Sequence, residues 1–214
     1  MRWRLKNPLA VIRGYGEALR ERIHPEKTGR YLEGIIRETD RLDGLVQDML
    51  RLFRMEGGDF HPRPERFFLR EWAESTASAV QGAAEEKQVR IQILAGEQEL
   101  IADRTAADFA LSNFLSNAVR HVVPGGGIRI SAEQQGAKTR VWVENDGPAI
   151  PPEQLPHLWE RFYRGDEGRS RVDGGAGLGL AIAREYLEQA GAACGCENIP
   201  GGVRFWMEWE KREV

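Results

Sequence analysis

Asn113-Phe-Leu-Ser-Asn117-Ala-Val-Arg120-His121 places two carboxamides four residues apart, followed by a cation and an imidazole. On a helix, positions i and i+4 share one face. Asparagine is a poor interior helix residue because its side chain competes for backbone hydrogen bonds, so its repetition in register points to a ligand. Amide oxygens are hard donors suited to Mg²⁺, and a neighbouring guanidinium suits phosphate. Two further stretches complete the pattern. Asn145-Asp146-Gly147-Pro148-Ala149-Ile150 reads as a strand end running into a turn. The Asn145 amide offers both an acceptor and donors. Gly147 permits close approach to the backbone. Gly174-Gly175-Ala176-Gly177-Leu178-Gly179-Leu180-Ala181-Ile182 is glycine-rich and leads into a helix. Bare backbone N–H groups and a helix N-terminus can there meet a polyphosphate. Each stretch alone is a weak signal; their order and spacing together predict a nucleotide pocket.

Around these stretches the chain reads as two units, 1–58 and 65–214. The first carries Leu5, Leu9, Ile12, Gly16, Leu19 and Ile23, then Tyr31, Ile35, Glu38, Leu42, Leu45, Met49 and Leu52, at alternating steps of four and three. This is the stripe of a helical bundle, with the turn at His24-Pro25. A two-helix hairpin cannot bury such a stripe by itself, whereas a four-helix bundle built by two chains would, which predicts a homodimer. Gly57-Gly58-Asp59 and the Pro62/Pro64 pair read as a linker. Beyond it the pattern predicts a helix from Phe68 to about Glu86 and strands at 89–93 and 99–102. The helix of the paired amides spans roughly 103–122, N-capped by Asp103. A hairpin turns at Gln135-Gly136-Ala137, and a helix over 177–191 and a strand over 203–209 follow. The expected class is α+β: a helical hairpin followed by an α/β sandwich with helices on one face of a mixed sheet.

Composition bounds the function. Of 214 residues, 41% are apolar and 29% charged, an ordinary globular balance. The net charge of −3 gives no electrostatic reason for nucleic-acid binding. Cys194 and Cys196 are too few for a disulfide framework and read as reduced structural thiols. No run of about 18 apolar residues predicts a membrane span.

At these residues the chain resembles the sensor histidine kinases, within the wider ATPase superfamily of gyrase, Hsp90 and MutL. The three stretches are similar to that family's N, G1 and G2 boxes. Leu158-Trp159-Glu160-Arg161-Phe162-Tyr163-Arg164 resembles its F box, and Leu5-Lys6-Asn7-Pro8-Leu9 the end of its H box. The resemblance implies ATP and Mg²⁺ as ligands, with Asn117 on the metal and Asn113 supporting it. It implies Arg120 on phosphate, His121 lining the pocket and Asn145 in place of an adenine-reading Asp, its amide pairing with the base edge; Asp146 could instead take that polar role through a water, and Gly147 lets the base approach the backbone. Asp146, Gly147, Gly175, Gly177, Leu178 and Gly179 complete the nucleotide contacts, and Arg164 reaches the γ-phosphate. The stretch 165–173 would be a lid ordering over ATP. Ala149 and Ala176 depart from the boxes. The implied partners are a second copy and a response-regulator receiver domain. The implied location is a cytoplasmic portion of a membrane receptor, joined to the membrane only through segments outside this chain.

One departure bears on activity. The family's phosphoacceptor His stands two residues before the Leu of Leu5-Lys6-Asn7-Pro8, and here that place is Trp3; the acid that follows it is Arg4. The indole N–H only donates, and arginine stays protonated. The chain is therefore expected not to autophosphorylate there. Asn7 keeps the amide that, in the family, orients water for response-regulator dephosphorylation. A non-catalytic ATP-binding dimeric module, or a phosphatase, is the alternative to a kinase core.

Overall fold

The computed structural model describes residues 2–165 and 177–211, with side chains from Pro8 onward. The chain divides into two compact units, 1–57 and 58–214.

The first unit is a pair of helices, α1 (Arg2–Arg20) and α2 (Thr28–Glu56), joined through a short 3-10 turn at Pro25–Lys27. Tyr15 stacks on Tyr31 with ring centroids 5.4 Å apart. Gly34 lies under Tyr15, where any Cβ would strike the ring. The two helices pack along the row expected to await a second chain: Leu45 is buried, and Ile35, Leu42 and Met49 are half-buried. The adjacent row of α2 stays bare instead, with Leu32, Ile36, Val46, Leu50 and Phe53 between 46% and 62% exposed. The bare row lies about one position around the helix from the half-buried one. At a helical period of 3.6, residues 31/35 and 32/36 belong to neighbouring faces.

The second unit opens with β1 (Pro64–Phe68), antiparallel to β3 (Glu99–Asp103) in a small two-stranded sheet. Part of the expected linker is thus a strand, and Pro64 sits at its first position, where a missing N–H is tolerated. The single helix expected over 68–86 is two, α3 (Leu69–Ser78) and α4 (Gln81–Glu86). At the break the Ser78 hydroxyl donates to the Ser75 carbonyl at 2.6 Å, the local competition that makes serine a weak helix residue. Then come β2 (Arg90–Ile93), α5 (Arg104–His121), β4 (Gly127–Gln135), β5 (Lys138–Asp146), α6 (Gly179–Gln189), β6 (Ala192–Ile199) and β7 (Gly202–Glu210). The Asp103 carboxylate caps α5, accepting from the Ala106 N–H at 2.8 Å.

The main sheet has the order β2-β4-β5-β7-β6, parallel at β2–β4 and antiparallel elsewhere. One face takes the helices. Ile128, Ile130, Val141, Val143, Phe205 and Met207 pack with Leu111, Phe114 and Leu115 of α5 and Leu187 of α6, all at most 2% exposed. Each such side chain contributes about 1.5–3 kcal/mol of burial. Ala106, Ala107 and Ala110, at 0% exposed, let α5 lie close on the sheet. The other face is polar: Arg129, Glu144, Arg204 and Glu197 form a cross-strand ladder over β4, β5, β7 and β6. Strand β6 was not foreseen. Its sequence of Ala, Cys and Gly is a weak strand former, held by pairing with β7.

Candidate functional site

Two of the stretches meet the helix that carries the third: Gly179 lies against Asn113 and Gly147 against His121 of α5. Asn113 and Asn117 lie on α5, with Cβ atoms roughly 5–6 Å apart by helix geometry. The Asn113 Nδ2 donates to the Phe109 carbonyl at 2.8 Å, which fixes the amide and turns Oδ1 outward. That oxygen abuts Gly179, the first residue of α6, where any Cβ would collide with it. The paired-amide helix therefore meets the bare N-terminus of α6 directly. The Asn117 side chain, half-buried one turn on, has no hydrogen-bond partner among the described residues. Two amide oxygens on one helix face beside an open helix N-terminus are a donor set that fits a hard cation such as Mg²⁺ next to a phosphate.

Gly177 has φ +71°, and a Cβ there would lie 2.6 Å from the Tyr163 carbonyl oxygen. Its own carbonyl accepts the Phe162 N–H at 2.7 Å. Only glycine fits this crossing of the F-box and G2-box strands of chain. Phe162 also has a positive φ, +68°, uncommon for a residue with a Cβ. Leu178 is fully buried beside it. Trp159 anchors the same segment by edge contacts to Phe114 and Phe205, at 6.3 and 6.1 Å between centroids. Arg164 has partners in the structure. Gly175 and the expected lid from Asp166 onward lie outside the described residues, as do the side chains of Trp3, Arg4 and Asn7.

On β5, Asn145 is buried at 3% exposure on the helix side of the sheet. Its Nδ2 leans on the Asp146 carbonyl at 3.4 Å. Asp146 does not join it. Strand alternation turns its side chain to the opposite face, where Oδ2 accepts the Gly127 N–H at 2.8 Å and Oδ1 accepts Arg129 Nη2 at 2.9 Å. The Arg129 hydrogen bond holds this carboxyl below the usual range. The expectation that Asp146 could serve the base edge is corrected: β5 continues through 146 instead of ending before it, and Asp146 ties the sheet edge together. Gly147 packs against the end of α5, where a Cβ would come within 2.9 Å of the His121 carbonyl oxygen. The Val123 N–H donates to the Asp146 carbonyl at 3.1 Å. His121 and Arg120 are exposed at the last turn of α5, above this junction.

Two residues that no local sequence signal marked hold the frame. Lys87 Nζ donates to the Val119 and Arg120 carbonyls at 2.9 and 3.0 Å, capping α5 with a cation where its dipole is negative. Asn198 of β6 bonds both backbone groups of Ile150 at 2.8 Å. These contacts span 32 to 48 residues of sequence, which no local reading reaches.

Residues 102–213 match the family described as histidine kinase-, DNA gyrase B- and HSP90-like ATPase, and residues 4–58 match the His Kinase A (phospho-acceptor) domain. Sensor protein IrlS of Burkholderia pseudomallei is 34% identical over 179 residues, 83% of this chain and 38% of that protein. Sensor protein SphS of Synechococcus elongatus is 34% identical over 211 residues, 95% and 51% of the two chains. The solved structure of histidine kinase ThkA in complex with response regulator protein TrrA is similar at TM-score 0.76 and 26% identity, over 97% of this chain and 59% of that one. The chain thus spans about half the length, or less, of the curated relatives it matches. An ATPase domain of this type follows a phospho-acceptor-type hairpin, and the chain belongs to the sensor histidine kinase family.

Proposed function

We propose that this chain is the nucleotide-binding and dimerising core of a two-component sensor kinase. The observation that carries it is the contact of Asn113 with Gly179, which sets the amide face of α5 against the open N-terminus of α6. Asn117 holds Mg²⁺, and the N–H groups at Gly177, Leu178 and Gly179, with Arg120 and Arg164, hold the phosphates of ATP. Mg²⁺ held by Asn117 would supply charge neutralisation to the ATP phosphates. In a core that carries the acceptor histidine, the bond from the γ-phosphorus to the ADP oxygen breaks as a bond to the histidine nitrogen forms. The phosphoryl group then passes to an aspartate of a receiver domain; the ThkA–TrrA complex supports a partner of that class. The exposed row on α2 is the surface for a second hairpin.

Trp3 and Arg4 leave this chain without an acceptor or base at the usual place, so it binds ATP without labelling itself. The test uses γ-labelled ATP with Mg²⁺. The chain is expected to bind ATP by calorimetry yet gain no acid-labile label, and the double variant Trp3→His, Arg4→Glu to gain it. Acid-labile label on the unaltered chain refutes the acceptor assignment, and no ATP uptake at millimolar concentration refutes the pocket.

A further inference from the structure

We propose that Asn198 is a positioning residue that sets the base side of the pocket, an inference that rests on the nucleotide reading above. Ile128, Asn145, Val203 and Asn198 form one cross-strand row over β4, β5, β7 and β6. Cross-strand partners share a face, and Ile128, Asn145 and Val203, at 4% exposed or less, show that it is the helix side. Asn145 and Asn198 thus stand two strands apart, roughly 10 Å, with Val203 between them.

The chain leaving β5 crosses this row. The Gly147 N–H donates to the Gly201 carbonyl at 3.1 Å, on the β6–β7 turn. Ile150 is then gripped by Asn198: its N–H donates to Oδ1 and its carbonyl accepts from Nδ2, each at 2.8 Å. One side-chain amide thereby substitutes for a strand partner. The loop has few other ways to be held, because Pro148, Pro151 and Pro152 have no N–H. The clamp also fixes the Ile150 side chain, which packs against the core. Asn198 therefore governs where the segment leaving the Asn145 strand end is held. Among the described residues it makes no hydrogen bond to Asn113, Asn117 or Gly179, so its effect falls on the base side.

The experiment is calorimetry on the full chain with Mg-ATP and, separately, with Mg-tripolyphosphate, which lacks the base. Asn198→Ala is expected to weaken ATP about tenfold and to leave tripolyphosphate within about twofold, the scale of one or two net hydrogen bonds. Asn198→Asp keeps the acceptor for the Ile150 N–H but faces the Ile150 carbonyl with a second oxygen, so it shifts ATP in the same direction. This variant carries the test if the alanine variant melts early. Unchanged ATP affinity in both variants, or equal weakening of both ligands, overturns the proposal. A wild-type chain that takes up neither ligand overturns the nucleotide reading itself, and the two failures are told apart by that control.

Discussion

Replacing Gly179 with alanine separates stability from ligand binding. Gly179 opens α6, and its φ lies outside the left-handed region, so alanine is sterically allowed by the backbone. The new methyl would strike Asn113 Oδ1, the free end of a side chain that can swing away. Swinging costs the bond from Asn113 Nδ2 to the Phe109 carbonyl, worth about 1 kcal/mol. Alanine in place of glycine returns up to about 1 kcal/mol of helix stability. The two nearly cancel, so the melting temperature should move by less than about 4 °C in a unit of this size. Binding behaves differently. The carboxamide leaves the metal–phosphate cluster, and the methyl covers the N–H groups at the start of α6. Losing one charge-assisted hydrogen bond costs about 1.5–3 kcal/mol, so Mg-ATP affinity should fall at least about tenfold. Thermal melting and calorimetry on the same protein give both numbers. Unchanged Mg-ATP affinity would show that the Asn113–Gly179 contact is ordinary packing. A melting temperature lowered by more than about 8 °C would show that Asn113 cannot move, and the reasoning fails in the other direction.

Two further outcomes follow from the geometry. Ile36→Glu and Phe53→Glu, on the bare row of α2, should each cut self-association by at least about a hundredfold, since a symmetric interface feels each change twice at about 1.5–3 kcal/mol per buried side chain; a wild-type chain that stays monomeric at high concentration in light scattering would contradict this. Burial pushes the Cys194 and Cys196 thiols from 9.0 up to about 12. A raised folded-state value favours the fold below the ordinary thiol range, and that contribution is lost as pH rises from 9.0 towards about 12. Both thiols should therefore resist a disulfide reagent at pH 8 until denaturant is added, and fast modification of the native chain would sink the assignment.

The sequence by itself determined what is local. Helical periodicity marked α1, α2 and α5, Asp103 announced its cap, and Gly136 announced the hairpin turn, while the packing of Gly147, Gly177 and Gly179 against His121, Tyr163 and Asn113 came from the tertiary structure. The order of the boxes named a nucleotide pocket because the chemistry of amides and bare N–H groups is carried by residue type. Tertiary structure alone decided which faces those residues use. Whether Asp146 reaches the pocket depends on β5 running one residue further, and a single step along a strand reverses the side of the sheet. Which row of α2 stays bare depends on how α1 settles against it. Strand β6 exists because β7 pairs with it, and Asn198 reaches Ile150 across 48 residues. Pairing and burial are long-range, and residue preferences over a few positions contain no term for a partner that distant.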